Sequence, residues 1–132
     1  MLTKDIKQFI EGISQAIVAT ADRSGNPHLA LGSGIKVLDW HHLALENWYC
    51  QTTLRNLDQN PQIAIVVMDR DSIIGFQFIG EVVHGYDIAS LGGCVPEAEE
   101  QGDPCFCTLM VIRVEKIQSF CSSMHTDRPL DG

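Results

Sequence analysis

Six stretches of the chain carry the residue pattern of β-strands, and turn-forming residues lie between most of them. Within each stretch the residues alternate in polarity or are continuously apolar over a short length, which is typical of strands. The six predicted strands cover residues 17–21, 28–38, 42–50, 63–68, 73–83 and 106–120. A chain dominated by such stretches is expected to fold as a mainly β protein.

Short helices interrupt this pattern at two or three places. Thr3 is expected to cap a first helix that ends near Gly12. Thr52 or Thr53 is expected to cap a second helix that ends at residues 60–61 with an Asn-Pro pair. Residues 96–100, a proline followed by glutamates, suggest a third helix. Together these elements predict a six-stranded antiparallel β-barrel with two or three short helices.

Composition limits the class of protein. The 132 residues suffice for one hydrophobic core, so residues 1–132 are expected to form a single domain. A hydrophobic fraction of 45% excludes a disordered chain. No apolar run approaches the ~18–20 residues of a membrane-spanning helix, so no membrane is expected as a partner. The net charge of −8 counts against binding of nucleic acid, because a duplex requires a basic surface.

The cysteines indicate a reducing compartment. They are odd in number, and the charged first residues do not resemble a secretion signal, so a cytoplasmic protein with reduced thiols is expected. Their spacing matches no usual zinc site, and no metal site is predicted. Cys50 and Cys121 are interpreted as inert apolar residues. No catalytic constellation is recognisable, whether a Ser-His-Asp order, paired carboxylates or a P-loop.

The residues at the start of the second predicted helix suit a phosphate. With Thr53 as the cap, its hydroxyl, the Asn56 amide and the backbone N–H groups of the first turn converge at the positive end of the helix. Arg55 could add a bidentate charge. The alternative is purely structural, because Thr is a common helix cap and Arg55 would be solvated.

The strands before this helix offer a place for a flat ring. Gly32 and Gly34 leave bare backbone that a ring or another chain could approach, although a bulge or bend that closes a small barrel explains them equally well. Trp48 and Tyr49 could stack on such a ring, or they could belong to the core or to an interface.

In order and spacing, these segments resemble the FMN-binding split barrels of the pyridoxamine 5'-phosphate oxidase-like superfamily, and in particular its short stand-alone FMN-binding members. The resemblance extends over residues 1–83 and, more weakly, over the last strand. The segments that carry it are residues 17–21, 25–28, 35–39, 53–57, 60–61 and 75–80.

The resemblance implies a homodimer with FMN in the groove between the subunits. The phosphate would meet Thr53 and Asn56, and Arg55 would supply the charge that relatives carry as Lys or Arg at the position of Thr52. Strands two and three would contact the ring or ribityl chain, and Gln77 would face the groove from the partner's side. The cofactor-binding residues expected are Ala30, Leu31, Ser33, Glu46, Asn47, Trp48, Tyr49, Thr52, Thr53, Arg55, Asn56 and Gln77.

Two classes of function follow from this resemblance. In the first, the protein is a flavoprotein oxidoreductase or electron carrier in which FMN performs the redox chemistry and no side chain acts as acid or base. Oxidation of pyridoxamine phosphate itself is not expected, because the chain is shorter than those enzymes and lacks their basic C-terminal end. In the second, it is a non-catalytic dimeric module whose cofactor is weakly bound, lost, or replaced by deazaflavin or haem.

Overall fold

The computed structural model describes residues 1–13, 15–48, 50–86, 107–121 and 130, and it confirms the mainly β, antiparallel fold. The segment that suggested a third helix, residues 96–100, lies outside the described residues. The elements are α1 (Lys4–Glu11), β1 (Gln15–Ala21), β2 (Pro27–Ser33), β3 (Ile35–Val37), β4 (His42–Trp48), α2 (Gln51–Gln59), β5 (Gln62–Asp69), β6 (Ile74–Tyr86) and β7 (Cys107–Cys121).

The connection between β2 and β3 forces the sheet to curl. The strands pair in the order β2-β1-β5-β6-β7-β4-β3, so β2 and β3 occupy opposite edges. Laid flat, seven strands would hold these edges about 29 Å apart, at about 4.8 Å per neighbouring pair. Only Gly34 separates the two strands in the chain, and two Cα–Cα steps span at most about 7 Å. The sheet therefore bends until its edges meet, which gives the half-barrel of a split-barrel fold.

The structure has seven strands where the sequence predicted six, because the predicted strand 28–38 is divided at Gly34. Gly34 has a φ of +78°, a left-handed conformation that interrupts the pleat and that side chains other than glycine rarely adopt. The residues before it pair with β1, and those after it pair with β4. Of the explanations given above for this glycine, the structure therefore shows the bend.

The turn between β1 and β2 is held by a single carboxylate. Asp22 accepts hydrogen bonds from the backbone N–H groups of Ser24 and Asn26, each at 2.9 Å, and from the Asn26 side-chain amide. The Asn26 side-chain bond contributes most to a pKa of Asp22 below its ordinary value. This turn fixes the register in which β2 lies along the sheet edge.

The core lies on the concave side of the curled sheet, and both helices cover it. In α1, the predicted Thr3 cap is confirmed, since the Ile6 N–H donates to the Thr3 hydroxyl at 3.3 Å, and Ile6 and Ile10 are buried. In α2, Leu54 and Leu57 are buried. No helix in the described ranges is long and apolar enough to cross a membrane. The largest fully buried aliphatic and aromatic side chains are Ile10, Val18, Leu43, Leu45, Leu54, Leu57, Ile65, Val67, Phe78, Met110 and Ile112.

Candidate functional site

The start of α2 differs from the prediction. Cys50, and neither Thr52 nor Thr53, is the residue that precedes the first helical turn. Its backbone is extended and its carbonyl accepts the first helical bond, from the Leu54 N–H at 3.3 Å, but its side chain caps nothing. Because cysteine is a poorer hydrogen-bond acceptor than serine or threonine, the first-turn N–H groups receive no side-chain cap from it. These groups and the helix dipole suit an anion.

Two of the side chains predicted to meet a phosphate point into the protein. Thr53 is the third residue of the helix and is 0% exposed, and its buried hydroxyl has no hydrogen-bond partner. Asn56 is also buried, and its side-chain amide donates to the Thr20 hydroxyl at 3.1 Å. In a single subunit, neither group is accessible to a ligand in solvent.

The outward side of the same turn carries Thr52 and Arg55, which are both exposed. The Arg55 guanidinium donates to the Gln51 side-chain carbonyl at 3.4 Å, one turn back along the helix. A hydroxyl, a guanidinium and uncapped backbone N–H groups thus lie together at the positive end of the helix. This donor set fits a phosphate group, with Thr52 in the place where Thr53 was expected.

The flat ring that lies against the bare backbone of β2 is the indole of Trp48. A Cβ atom added to Gly32 would stand 2.1 Å from Cζ3 of this indole. Trp48 is only 2% exposed, and its indole N–H is buried without a partner. Trp48 therefore belongs to the core, where it packs across the seam between β2 and β4. Tyr49, the other predicted stacking residue, lies outside the described residues.

The remaining predicted residues of β4 are directed away from the core. Glu46 is half-buried and forms an ion pair with Lys36 of β3, which offsets its negative charge. Asn47 is exposed and has a φ of +53°, a conformation that asparagine tolerates better than most residues. These two residues flank the seam near the start of α2.

The convex side of the sheet carries an outer apolar face, formed by Ile17, Leu29, Leu31 and Val66. Leu29 and Leu31 are 69% and 63% exposed, and Ile17 is directly opposite both Leu31 and Val66 in the strand register. Gln77 is opposite Val66 and shares this face, where it donates to Gln118 at 2.9 Å. Of the other predicted β2 residues, Ser33 is exposed and Ala30 is half-buried on the opposite side of the strand.

An open groove of about 1020 Å³ lies at one end of the outer apolar face. Apolar side chains of the face line it together with a charged hairpin turn, Asp69 to Asp71, that contains Arg70. The structure thus brings the β2 residues and Gln77 to one surface. The start of α2, which suits a phosphate, is formed by other residues of the chain.

From the sequence, Cys50 was interpreted as an inert apolar residue, and its position beside His28 was not predicted. Its Sγ lies 3.5 Å from Nε2 of His28, which is on β2. No local pattern could reveal this pair, because the curl of the sheet brings together two residues 22 positions apart. A cysteine directly before a helical stretch was the one available sign.

Comparisons with known proteins agree with this architecture. The family model described as pyridoxamine 5'-phosphate oxidase matches residues 2–104. HupZ from Group A Streptococcus is 25% identical with a TM-score of 0.69, and the match covers 92% of this chain and 96% of that one. No curated protein sequence gave a significant match.

Two further solved structures share the fold at lower identity. An FMN-binding protein from Syntrophomonas wolfei is 14% identical with a TM-score of 0.66, over 89% of this chain and 85% of that one. An F420 reductase is 15% identical with a TM-score of 0.59, over 85% of this chain and 94% of that one. The match to the family model extends over most of the sequence, and the chain therefore belongs to the pyridoxamine 5'-phosphate oxidase family.

Proposed function

We propose that this protein is a cytoplasmic FMN-binding flavoprotein that acts as a homodimer, as a small oxidoreductase or electron carrier. The observation that carries the proposal is the uncapped start of α2, where Thr52 and Arg55 are exposed beside the first-turn N–H groups. Membership of the family supports a flavin ligand, and the shared fold of an FMN-binding protein from Syntrophomonas wolfei is consistent with it.

In this proposal the protein binds and orients the cofactor. The first-turn N–H groups and Arg55 hold the phosphate, and the Thr52 hydroxyl completes its hydrogen bonds. The exposed Leu31 side chain supplies an apolar surface for the ring. Bound FMN would supply transfer of hydride or of single electrons.

The second subunit is needed to cover the outer apolar face. Leu29 and Leu31 are both more than three-fifths exposed and lie beside Ile17 and Val66, which makes a contiguous apolar surface. Such a surface is unfavourable in water unless another molecule covers it. A second copy of the chain is the occupant we propose, with the cofactor in the groove between subunits and Gln77 on the partner's side of that groove.

Replacing Arg55 with Ala is expected to weaken FMN binding about 10-fold, because it removes one charge-assisted hydrogen bond. The loss should shrink as salt is added, since salt screens exposed charges. Thr52→Lys should tighten binding by adding a charge beside the same phosphate. Flavin fluorescence titrations at two salt concentrations measure both effects.

Two controls separate phosphate recognition from general charge effects. Arg23→Ala removes an equivalent exposed charge from the β1–β2 turn and should leave FMN binding unchanged. Riboflavin, which lacks the phosphate, should bind the Arg55→Ala variant and the parent equally. Equal FMN affinity in Arg55→Ala and the parent, with no gain in Thr52→Lys, would contradict the assigned phosphate site.

The absorbance of the purified protein separates the cofactors. FMN absorbs at about 450 nm and haem at about 400 nm, so each gives a distinct band. If neither band is present and the protein binds neither added FMN nor added deazaflavin, the result would instead indicate the non-catalytic module. The Thr52 position, which lacks the basic residue of relatives, is the feature that favours this second candidate.

Replacing Leu31 with Glu is expected to dissociate the proposed homodimer. The carboxylate would be buried against the partner within the outer apolar face, and we expect the dimer to weaken about 30-fold or more. Leu38→Glu makes the same change at an exposed leucine beyond the opposite sheet edge and should leave assembly intact. Sedimentation velocity across a micromolar concentration series measures both. A folded monomeric parent protein would rule out the proposed dimer.

A further inference from the structure

Cys50 and His28 form a nucleophile–base pair that the proposed flavin chemistry does not use. The thiol Sγ and the imidazole Nε2 are 3.5 Å apart, within hydrogen-bonding range for sulfur. The pair joins two elements, since His28 is on β2 and Cys50 immediately precedes α2. In the tautomer with its proton on Nδ1, the imidazole presents Nε2 to the thiol as an acceptor.

Cys50 lies at the start of a helix. It is the N-cap residue of a nine-residue helix, so its side chain stands at the positive end of the helix dipole. The N–H groups of Thr52 and Thr53 belong to the first turn of this helix. The Cys50 side chain makes no cap hydrogen bond to this turn. A thiolate would be a better acceptor for these donors than the neutral thiol, because charge-assisted hydrogen bonds are stronger.

Both members of the pair remain accessible. Cys50 and His28 are each half-buried, so neither residue is enclosed in the core. A positive helix end together with a neighbouring histidine is the environment that produces nucleophilic cysteines. Thr53, the buried hydroxyl without a partner, is on the same turn.

We propose that Cys50 is a nucleophilic thiol and a site of covalent modification by small, soft electrophiles, with His28 as its proton acceptor. The thiol proton passes to His28 Nε2, and the sulfur then attacks the electrophilic atom. With iodoacetamide, the S–C bond forms as the C–I bond breaks and iodide leaves. The proton on His28 passes to solvent, which restores the neutral imidazole.

The first test compares the reactivity of Cys50 in the folded and in the denatured FMN-free protein. Alkylation by iodoacetamide at pH 7 is followed by peptide mass spectrometry, so that each cysteine is measured separately. We expect native Cys50 to react about 10-fold faster than Cys50 in urea-denatured protein, since a free thiol is only a few per cent ionised at this pH. Cys121, which lies on β7, serves as the internal reference and should not accelerate on folding.

The second test removes the base. His28→Gln retains a polar side chain but cannot take the proton in this way, and it should return Cys50 to the rate of the denatured chain. His41→Gln, at an exposed histidine between β3 and β4, should not change the rate. A native Cys50 that reacts no faster than in urea, or an unchanged rate in folded His28→Gln protein, would overturn the proposal. Neither measurement depends on FMN, so failure of the flavin proposal leaves this test unaffected.

Discussion

Replacing Gly32 with Ala is expected to lower the free energy of unfolding by about 3 kcal/mol or more, because the new methyl group would overlap a buried indole. The added Cβ would stand 2.1 Å from Cζ3 and 2.8 Å from Cε3 of Trp48. The indole has little room to retreat, since Trp48 is 2% exposed and packed in the core. Urea denaturation followed by circular dichroism measures the loss.

Two companion variants show whether the indole is the cause. Gly12→Ala adds the same methyl group where the nearest neighbouring atom is 3.6 Å away, and it should change stability by less than about 0.5 kcal/mol. Trp48→Leu destabilises on its own by leaving a cavity, but Gly32→Ala in that background should cost less than about 1 kcal/mol. If the two substitutions prove additive, the clash with Trp48 is not what makes Gly32 necessary.

Replacing Asn56 with Asp is the second change expected to have a large effect. The substitution is nearly isosteric, but it converts a buried amide that donates to the Thr20 hydroxyl into a carboxylate. One hydroxyl proton cannot compensate for the lost hydration of a buried charge. We therefore expect a loss of about 3 kcal/mol at pH 7, measured by urea denaturation.

The pH dependence of this loss has a definite sign. Burial raises the carboxyl pKa in the folded state above its unfolded value of about 4, so the folded state favours the protonated acid. The penalty is therefore small below pH ~4 and grows as the pH rises above that value. Asn60→Asp, at the half-buried C-cap of the same helix, should show only a small loss with no such growth, because its side-chain oxygen already accepts a hydrogen bond from the Gln62 N–H. A pH-independent Asn56→Asp penalty would mean that the carboxylate reaches solvent.

Local patterns predicted the parts of the fold that depend on neighbouring residues. The Thr3 cap and the apolar strand at residues 63–68 were predicted because both depend on residues that are adjacent in the sequence. The division at Gly34 was not predicted as a change of partner, because strand pairing is set by residues far apart in the chain. For the same reason, the contact between Gly32 and Trp48 was not predicted.

The candidate site shows where sequence patterns are ambiguous. Consecutive threonines at positions 52 and 53 offered two equally plausible caps, and the helix begins instead after Cys50. Each helical residue advances about 100°, and in the observed helix Thr53 points inward while Thr52 is exposed. A helix start that lies two or three residues before the predicted one therefore changes which side chains can meet a ligand.

Trp48, which packs across the seam between β2 and β4, can serve as an intrinsic fluorescence probe of that seam. Its only other tryptophan, Trp40, is 52% exposed, so the two indoles occupy opposite environments. Emission from a shielded indole lies at shorter wavelength than emission from a hydrated one. In a Trp40→Phe background, the remaining fluorescence would come from the contact between β2 and β4 alone. Separation of the two strands, even transient and well short of unfolding, would then be visible as a red shift in real time.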